Sequence, residues 1–297
     1  MSKGLGSLEV KDVPDPTPGA GQQLIRVVSA GINFSDIGAI EGTYPGPPPP
    51  FVPGIEVAGR ELGSDRPVLA LLDSGGYGEL VVADERLVIA ADGLDLETAG
   101  GLPLVLLAAY FGLVRAARLE AGETVLVLAA GGALGSTAIQ VARALGAGRV
   151  IGVASSDEKR AIALDRGADV AVPYSSDLPQ ADVVIDGVGG VAFLDAYRAT
   201  RRFGRVLTVG ASSGAPPELP SFQEQRNRSV AIVPFSFKAL RAADPDYVAA
   251  SAPAAIDLVR SGAVSPVIGE SFPLAQAAEA LRRLAARESV GKLLLRP

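Results

Sequence analysis

Residues 124–144 read TVLVLAAGGALGSTAIQVARA, and the chemistry they suit is the holding of a diphosphate by backbone N–H groups. A short apolar run, 125–128, meets the spacing Ala129-x-x-Gly132-x-x-Gly135 and passes straight into an Ala-rich helical pattern. A strand, a tight turn and a helix N-terminus in that order open a dinucleotide-binding unit. Small residues let the backbone approach a pyrophosphate closely, and the first helical N–H groups point at it. On this reading Ala129, Gly131, Gly132, Ala133, Leu134 and Gly135 carry the contact. The first position is Ala where the fingerprint has Gly, and an ordinary Gly-rich turn between a strand and a helix has the same appearance.

The end of the next strand bears on which dinucleotide fits. A unit that binds NAD places a carboxylate there, about 20 residues beyond the glycines, to take the ribose hydroxyls. Here the run 150–153 leads into Ala154-Ser155-Ser156, with Lys159 and Arg160 close behind. Hydroxyl donors and a cation suit a 2′-phosphate, so NADPH is the expected coenzyme. Two features keep the other readings open: Ser155-x-x-Glu158 also fits a capping box, and Asp157 lies close enough to serve NAD. Further on, Asp186-Gly187-Val188-Gly189-Gly190 and Gly210-Ala211-Ser212 fall at the carboxyl ends of predicted strands. Ligands of open α/β sheets bind there, so Val188, Gly210 and Ala211 are expected to line the cofactor crevice. Simple turn chemistry accounts equally well for Gly189 and Gly190.

Composition removes several chemistries outright. The 297 residues include no Cys and no His, so a disulfide, a Cys nucleophile, a His general base and a His/Cys metal site are all impossible. A formal net charge of −6 gives no electrostatic reason to expect nucleic acid or an anionic membrane as a partner. The uncharged stretches near 100–114 and 124–142 are broken by Pro103 and by Gly131-Gly132, and read as soluble core rather than as membrane spans. The first ten residues, MSKGLGSLEV, show no apolar leader, which makes the cytoplasm the expected compartment.

The elements that must position these groups fall into three stretches. Residues 8–90 are β-like, with LEVKDV, QLIRVVSAG, GYGELVVA and RLVIA set off by Gly and Pro, and the segment 44–53, YPGPPPPFVP, is too donor-poor for either regular element. Residues 113–237 alternate short apolar runs (125–128, 150–153, 170–172, 183–185, 206–209) with helical patterns at 134–145, 157–166 and 193–200, as a doubly wound parallel sheet requires. The tail adds helical patterns at 247–260 and 274–287 and a strand at 292–296.

Taken together, AGINFSDIGAIEGTYPGPPPPFVPGIEVAG (30–59), GGYGELVV (75–82), the 125–147 segment, ASSDEKRAIALDRGAD (154–169), VVIDGVGG (183–190) and GKLLL (291–295) run in order through nearly the whole chain. In these motifs it resembles the zinc-free quinone oxidoreductases of the medium-chain dehydrogenase/reductase superfamily. The resemblance implies an α/β protein: a GroES-like β-rich catalytic domain from residues 1–112 and 238–297, and a Rossmann domain from 113–237. It places Ser155, Ser156, Lys159 and Tyr174 at the adenosine phosphate of NADPH and Phe235 near the nicotinamide, where a core aromatic is an equal reading. Zinc-dependent relatives carry a Cys ligand where this chain has Asn33 and a His where it has Ile55, so no metal is expected.

Without a strong Lewis acid, the hydride acceptor must already be electron-poor and conjugated. Quinones meet that condition best, which predicts an NADPH:quinone oxidoreductase. An enone or enal reductase on the same scaffold and a non-catalytic NADPH-binding protein are the alternatives. The side-chain amide of Asn33 and the hydroxyl of Tyr44 are expected to hydrogen-bond the developing oxyanion, with Ser35 passing a proton or holding the nicotinamide ribose. A loop-structuring amide and packing on the Pro-rich loop are the plainer readings of Asn33 and Tyr44. Glu56 is expected to anchor backbone or an internal cation rather than to do chemistry. Ala108 stands where relatives usually have Thr. The resemblance also implies a homodimer in which a strand at 229–234 extends the sheet across a two-fold axis.

Overall fold

A computed structural model describes residues 4–175 and 177–297. The chain divides into two compact units. One takes the residues up to Leu104 together with Asp244–Ala254 and Pro266–Pro297, and the other takes Val105–Ala243 with Ala255–Ser265. The division falls at Leu104 and Val105 rather than at 112 and 113, and the later half of the helix Pro245–Arg260 belongs with the second unit.

In the first unit the strands are β1 (Gln22–Gly31), β2 (Glu56–Glu61), β3 (Pro67–Leu71), β4 (Leu80–Asp84) and β5 (Val88–Ala90). The second contributes β6 (Thr124–Leu128), β7 (Arg149–Val153), β8 (Val170–Val172), β9 (Ala181–Asp186), β10 (Thr200–Thr208) and β11 (Ala231–Pro234). The chain then returns to the first unit for β12 (Ile268–Pro273) and β13 (Lys292–Arg296).

The first unit is a seven-stranded sheet in the order β12-β13-β1-β2-β3-β5, with β4 also on β1. Its long strand β1 alternates buried Ile25 and Val27 with exposed Arg26, as a strand with one core face must. The first half of β1 pairs with β4, from Gln22 against Asp84 to Arg26 against Leu80, and its end pairs with β13, Ala30 against Leu295. Residues 8–19, whose first part LEVKDV reads as β-like, form no strand, and Val10 and Val13 are exposed. Pro14, Pro16 and Pro18 remove ladder donors from this segment, which leaves it without a partner.

The second unit is a six-stranded parallel sheet in the order β11-β10-β9-β6-β7-β8. From β6 the chain winds outward through β7 to β8, then returns beside β6 at β9 and winds the other way to β11. Strand order therefore reverses between β6 and β9, whose registers pair Val125 with Val183 and Val127 with Ile185. All five residues of β6 are buried, which explains its unbroken apolar run. The helix expected to run to Thr200 stops at Ala199, because the Thr200 backbone is already extended and opens β10. No helix among the described residues is long and apolar enough to cross a membrane.

Candidate active site

At the end of β6 the chain turns on Ala129, held at φ 52°, a left-handed conformation that costs a residue with a Cβ about 1–2 kcal/mol. The turn is closed by Gly132 N–H donating to the Ala129 carbonyl at 2.9 Å and by Ala130 N–H donating to Val153 in β7 at 3.0 Å. A Cβ on Gly135 would overlap the Ala129 carbonyl, so only glycine lets the helix Ala133–Ala144 sit this near its strand. That helix has Gly132 at its N-cap and no acidic residue in its first turn, so no side chain caps its leading N–H groups.

The neighbouring turns supply the polar and cationic groups. A Cβ on Gly131 would lie 2.6 Å from Lys159 Cβ, which puts the Lys159 stem against the glycine turn. The Ala129 N–H donates to the Tyr174 hydroxyl at 3.0 Å, and burial pushes that phenol above its ordinary pKa. Ser155 is exposed just past β7. The cap of the helix Asp157–Asp165 is Ser156, whose Oγ accepts from Lys159 N–H at 3.3 Å, one position later than the Ser155-x-x-Glu158 pattern places it. The Ser156 hydroxyl proton is not used by that bond. Asp157 pairs with Arg160, whose Nη1 also donates to the Ala154 carbonyl at 3.1 Å.

At the switch between β9 and β6, the buried Asp186 carboxylate accepts from Val188 N–H at 2.8 Å and Gly189 N–H at 3.0 Å. Burial raises its pKa, and those two bonds oppose the rise. The 186–190 turn is stitched to the next one by Ser212 N–H to Gly187 (3.0 Å) and Ser213 N–H to Val188 (2.9 Å). Gly210 packs there, since a Cβ on it would lie 3.4 Å from the Gly187 carbonyl oxygen. Phe235 follows β11, with its N–H on Thr208 at 2.9 Å and its ring beside Gly112. Val188, Gly210, Ala211 and Phe235 therefore gather at the carboxyl ends of β9, β10 and β11.

In the first unit, Asn33, Ser35 and Tyr44 surround one short helix, Phe34–Glu41. Asn33 is its N-cap, Ser35 lies in its first turn, and Tyr44 folds back so that its N–H meets the Gly38 carbonyl at 3.0 Å. Tyr44 is 40 % exposed. Ser35 Oγ is a buried hydroxyl with no hydrogen-bond partner among the described residues. Such an atom is costly unless something meets it.

Asn33 departs from the expectation of an amide aimed at an acceptor. Its Nδ2 donates to Glu56 Oε1 at 2.9 Å and to the Gly31 carbonyl at 3.3 Å, and its Oδ1 accepts from Lys292 Nζ at 2.6 Å. Both amide protons are taken by the protein, so the side chain orients its surroundings instead of donating outward. Glu56 anchors both a cation and a backbone group, as its sequence context suggests. Lys292 bonds to Oε1 at 2.5 Å, while Oε2 accepts from Leu104 N–H at 2.7 Å.

Three participants escape sequence reasoning. Lys292 opens the apolar strand of GKLLL, and a lone cation heading buried residues is the one signal that marks it. Asp36 takes Asn33 N–H and the Tyr77 hydroxyl on Oδ2, each at 2.8 Å. Burial pushes Asp36 up to about 6 against the downward pull of those two bonds, and burial beside Asp36 pushes Tyr77 well above the ordinary phenol range.

Residues 19–66 match the alcohol dehydrogenase GroES-like domain, and 133–243 match the zinc-binding dehydrogenase domain. Quinone oxidoreductase-like protein 2 of Bos taurus is 33% identical over 91% of this chain and 84% of its own length. The quinone oxidoreductase of Pseudomonas aeruginosa is 31% identical over 98% of this chain and 95% of its own. The Thermus thermophilus quinone oxidoreductase, solved alone and with NADPH, superposes with a TM-score of 0.86 at 34% identity, covering 99% of this chain and 98% of that one. With both domain models matched in order, full-length relatives above 30% identity, and neither Cys nor His in the sequence, the chain belongs to the zinc-free quinone oxidoreductases of the medium-chain dehydrogenase/reductase superfamily.

Proposed function

We propose that this protein is an NADPH:quinone oxidoreductase that transfers hydride without a metal. The observation that carries the reading is the group at the β6 and β7 ends. A cap-free helix N-terminus stands beside Lys159 and the exposed Ser155, while the nearby carboxylate, Asp157, is tied to Arg160. These residues fit a phosphorylated coenzyme. The N–H groups of Ala133, Leu134 and Gly135 suit its pyrophosphate. Ser155, the free proton of Ser156, Lys159 and Tyr174 suit the adenosine phosphate. Val188, Gly210, Ala211 and Phe235 suit the nicotinamide end, and Ser35 Oγ, which has no hydrogen-bond partner among the described residues, has a hydroxyl to offer a ribose or to pass a proton. The Thermus relative's complex with NADPH supports this assignment.

Bound NADPH supplies the hydride, and the chain supplies position, dryness and hydrogen bonds. With no Cys or His to build a soft-ligand metal site, the acceptor has to be intrinsically electrophilic, which favours quinones over isolated ketones. Tyr44, exposed just beyond the helix Phe34–Glu41, would donate to the oxyanion developing on the acceptor. Asn33 and Glu56 hold the segment that carries Ser35. The protein works as a cytoplasmic homodimer joined along β11, which lies at the sheet edge. The test is NADPH oxidation over a panel of quinones, enals and alcohols, with and without a chelator. Chelator-insensitive reduction of quinones is the expected result. Turnover confined to alcohols, or abolished by chelator, refutes the proposal, and a sedimentation value for a monomer refutes the dimer.

A further inference from the structure

The first unit contains a buried charged cluster centred on Lys292 and Glu56. Lys292 at the head of β13 is 3% exposed, and Glu56 at the head of β2 is fully buried. Asp36, on the helix Phe34–Glu41, and Tyr77, in the loop after β3, are titratable groups beside them. Glycines make the room. A Cβ on Gly101 would lie 2.6 Å from Lys292 Cγ, and one on Gly31 would overlap the Glu56 carboxylate. A buried ion pair is poor value as a stabiliser, since apolar residues of the same volume commonly do as well or better.

What such a pair does supply is orientation. The two ends of an asparagine amide are alike in shape and opposite in polarity. An ammonium on Oδ1 and a carboxylate on Nδ2 leave Asn33 one sense only. That fixed residue is the N-cap of the helix whose first turn carries Ser35, and its own N–H is held by Asp36. The other oxygen of Glu56 caps Leu104 N–H at the start of the helix Pro103–Phe111.

We propose that Lys292 is a positioning residue of the reductase, its ammonium fixing the sense of Asn33 and so the placement of the Ser35 segment for hydride transfer. The inference rests on the quinone-reductase reading above.

The experiment is the pair Lys292→Met with Glu56→Gln, which removes both charges of the ion pair at nearly native side-chain size and leaves Asp36 on its own donors, Tyr77 and the Asn33 N–H. The expected double variant melts within about 4 °C of the parent and binds NADPH with an unchanged Kd by fluorescence. Its kcat with quinone falls about tenfold or more, as a misplaced reacting geometry requires. A stable double variant with parental kcat overturns the proposal.

A second arm serves if that variant folds poorly. The chain has no cysteine, so Lys292→Cys carries a single thiol. Treatment with 2-bromoethylamine in denaturant forms a C–S bond, expels bromide and rebuilds an ammonium at that position. After refolding beside identically treated parent protein, the aminoethylated form should recover most of the turnover that the free-thiol form lacks. An aminoethylated protein no faster than the free thiol overturns the proposal. Parent protein that binds NADPH but reduces no quinone overturns the functional reading and the role of Lys292 with it, whereas an active parent with undiminished variants overturns Lys292 alone.

Discussion

Asp36→Asn should stabilise this protein at neutral pH and do nothing for it in acid. Asp36 is fully buried, and burial lifts its pKa from 3.8 to about 6 even though Tyr77 and the Asn33 N–H hold the charged form. A raised carboxyl pKa means that the native state binds the proton more tightly than the unfolded chain does. Stability is therefore greatest below the unfolded value and is lost as pH rises through the folded one. At about 1.4 kcal/mol per pH unit the loss is about 3 kcal/mol, complete above pH 7. Asparagine has the shape of the neutral acid and its Oδ1 still accepts from Tyr77 and Asn33, so the variant keeps the low-pH form at every pH. At about 2–4 °C per kcal/mol for a unit of this size, its melting point should exceed the parent's by about 6–12 °C at pH 7.5. The two should converge as pH approaches 4. Thermal scans across that range are the assay. A pH-independent difference, or a variant that melts lower at pH 7.5, refutes the account of Asp36 as a buried charge held at a cost.

Other outcomes follow from the same geometry. Lys159→Ala should weaken NADPH about 10–100-fold, the worth of one charge-assisted contact, and leave NADH almost unaffected in parallel titrations. Tyr44→Phe should lower kcat with quinone by about 10–1000-fold with the NADPH Kd unchanged, since only the developing oxyanion loses a donor; unchanged kcat would remove Tyr44 from the reaction. Ala129→Gly should raise stability by about 0.5–1 kcal/mol in denaturant melts, since relieving φ 52° outweighs the added freedom of the unfolded chain; a less stable variant would refute this.

The half of the molecule that binds coenzyme is legible because its signals are local. Ala129 to Gly135 must make a turn and start a helix within a few residues, and short buried parallel strands announce themselves as unbroken apolar runs. Even there the cap shifts by one, to Ser156, because extended backbone at that residue and an Oγ in reach of Lys159 N–H decide it, not the Ser-x-x-Glu pattern. LEVKDV shows the opposite failure: alternation is present, yet no strand lies beside it to take its bonds.

From composition and order alone came the class of fold, the coenzyme turn, and the exclusion of every Cys- or His-based chemistry, since these depend on which residues exist and on neighbours in the chain. The partnership of Lys292 with Asn33 and Glu56, across 259 and 236 positions, came only from folding. A β-sheet brings strand ends together by register, and the energy of an ammonium depends on what surrounds it once water is gone. That is why the amide of Asn33, expected from its residue type to meet an acceptor, is bound instead to Gly31, Glu56 and Lys292.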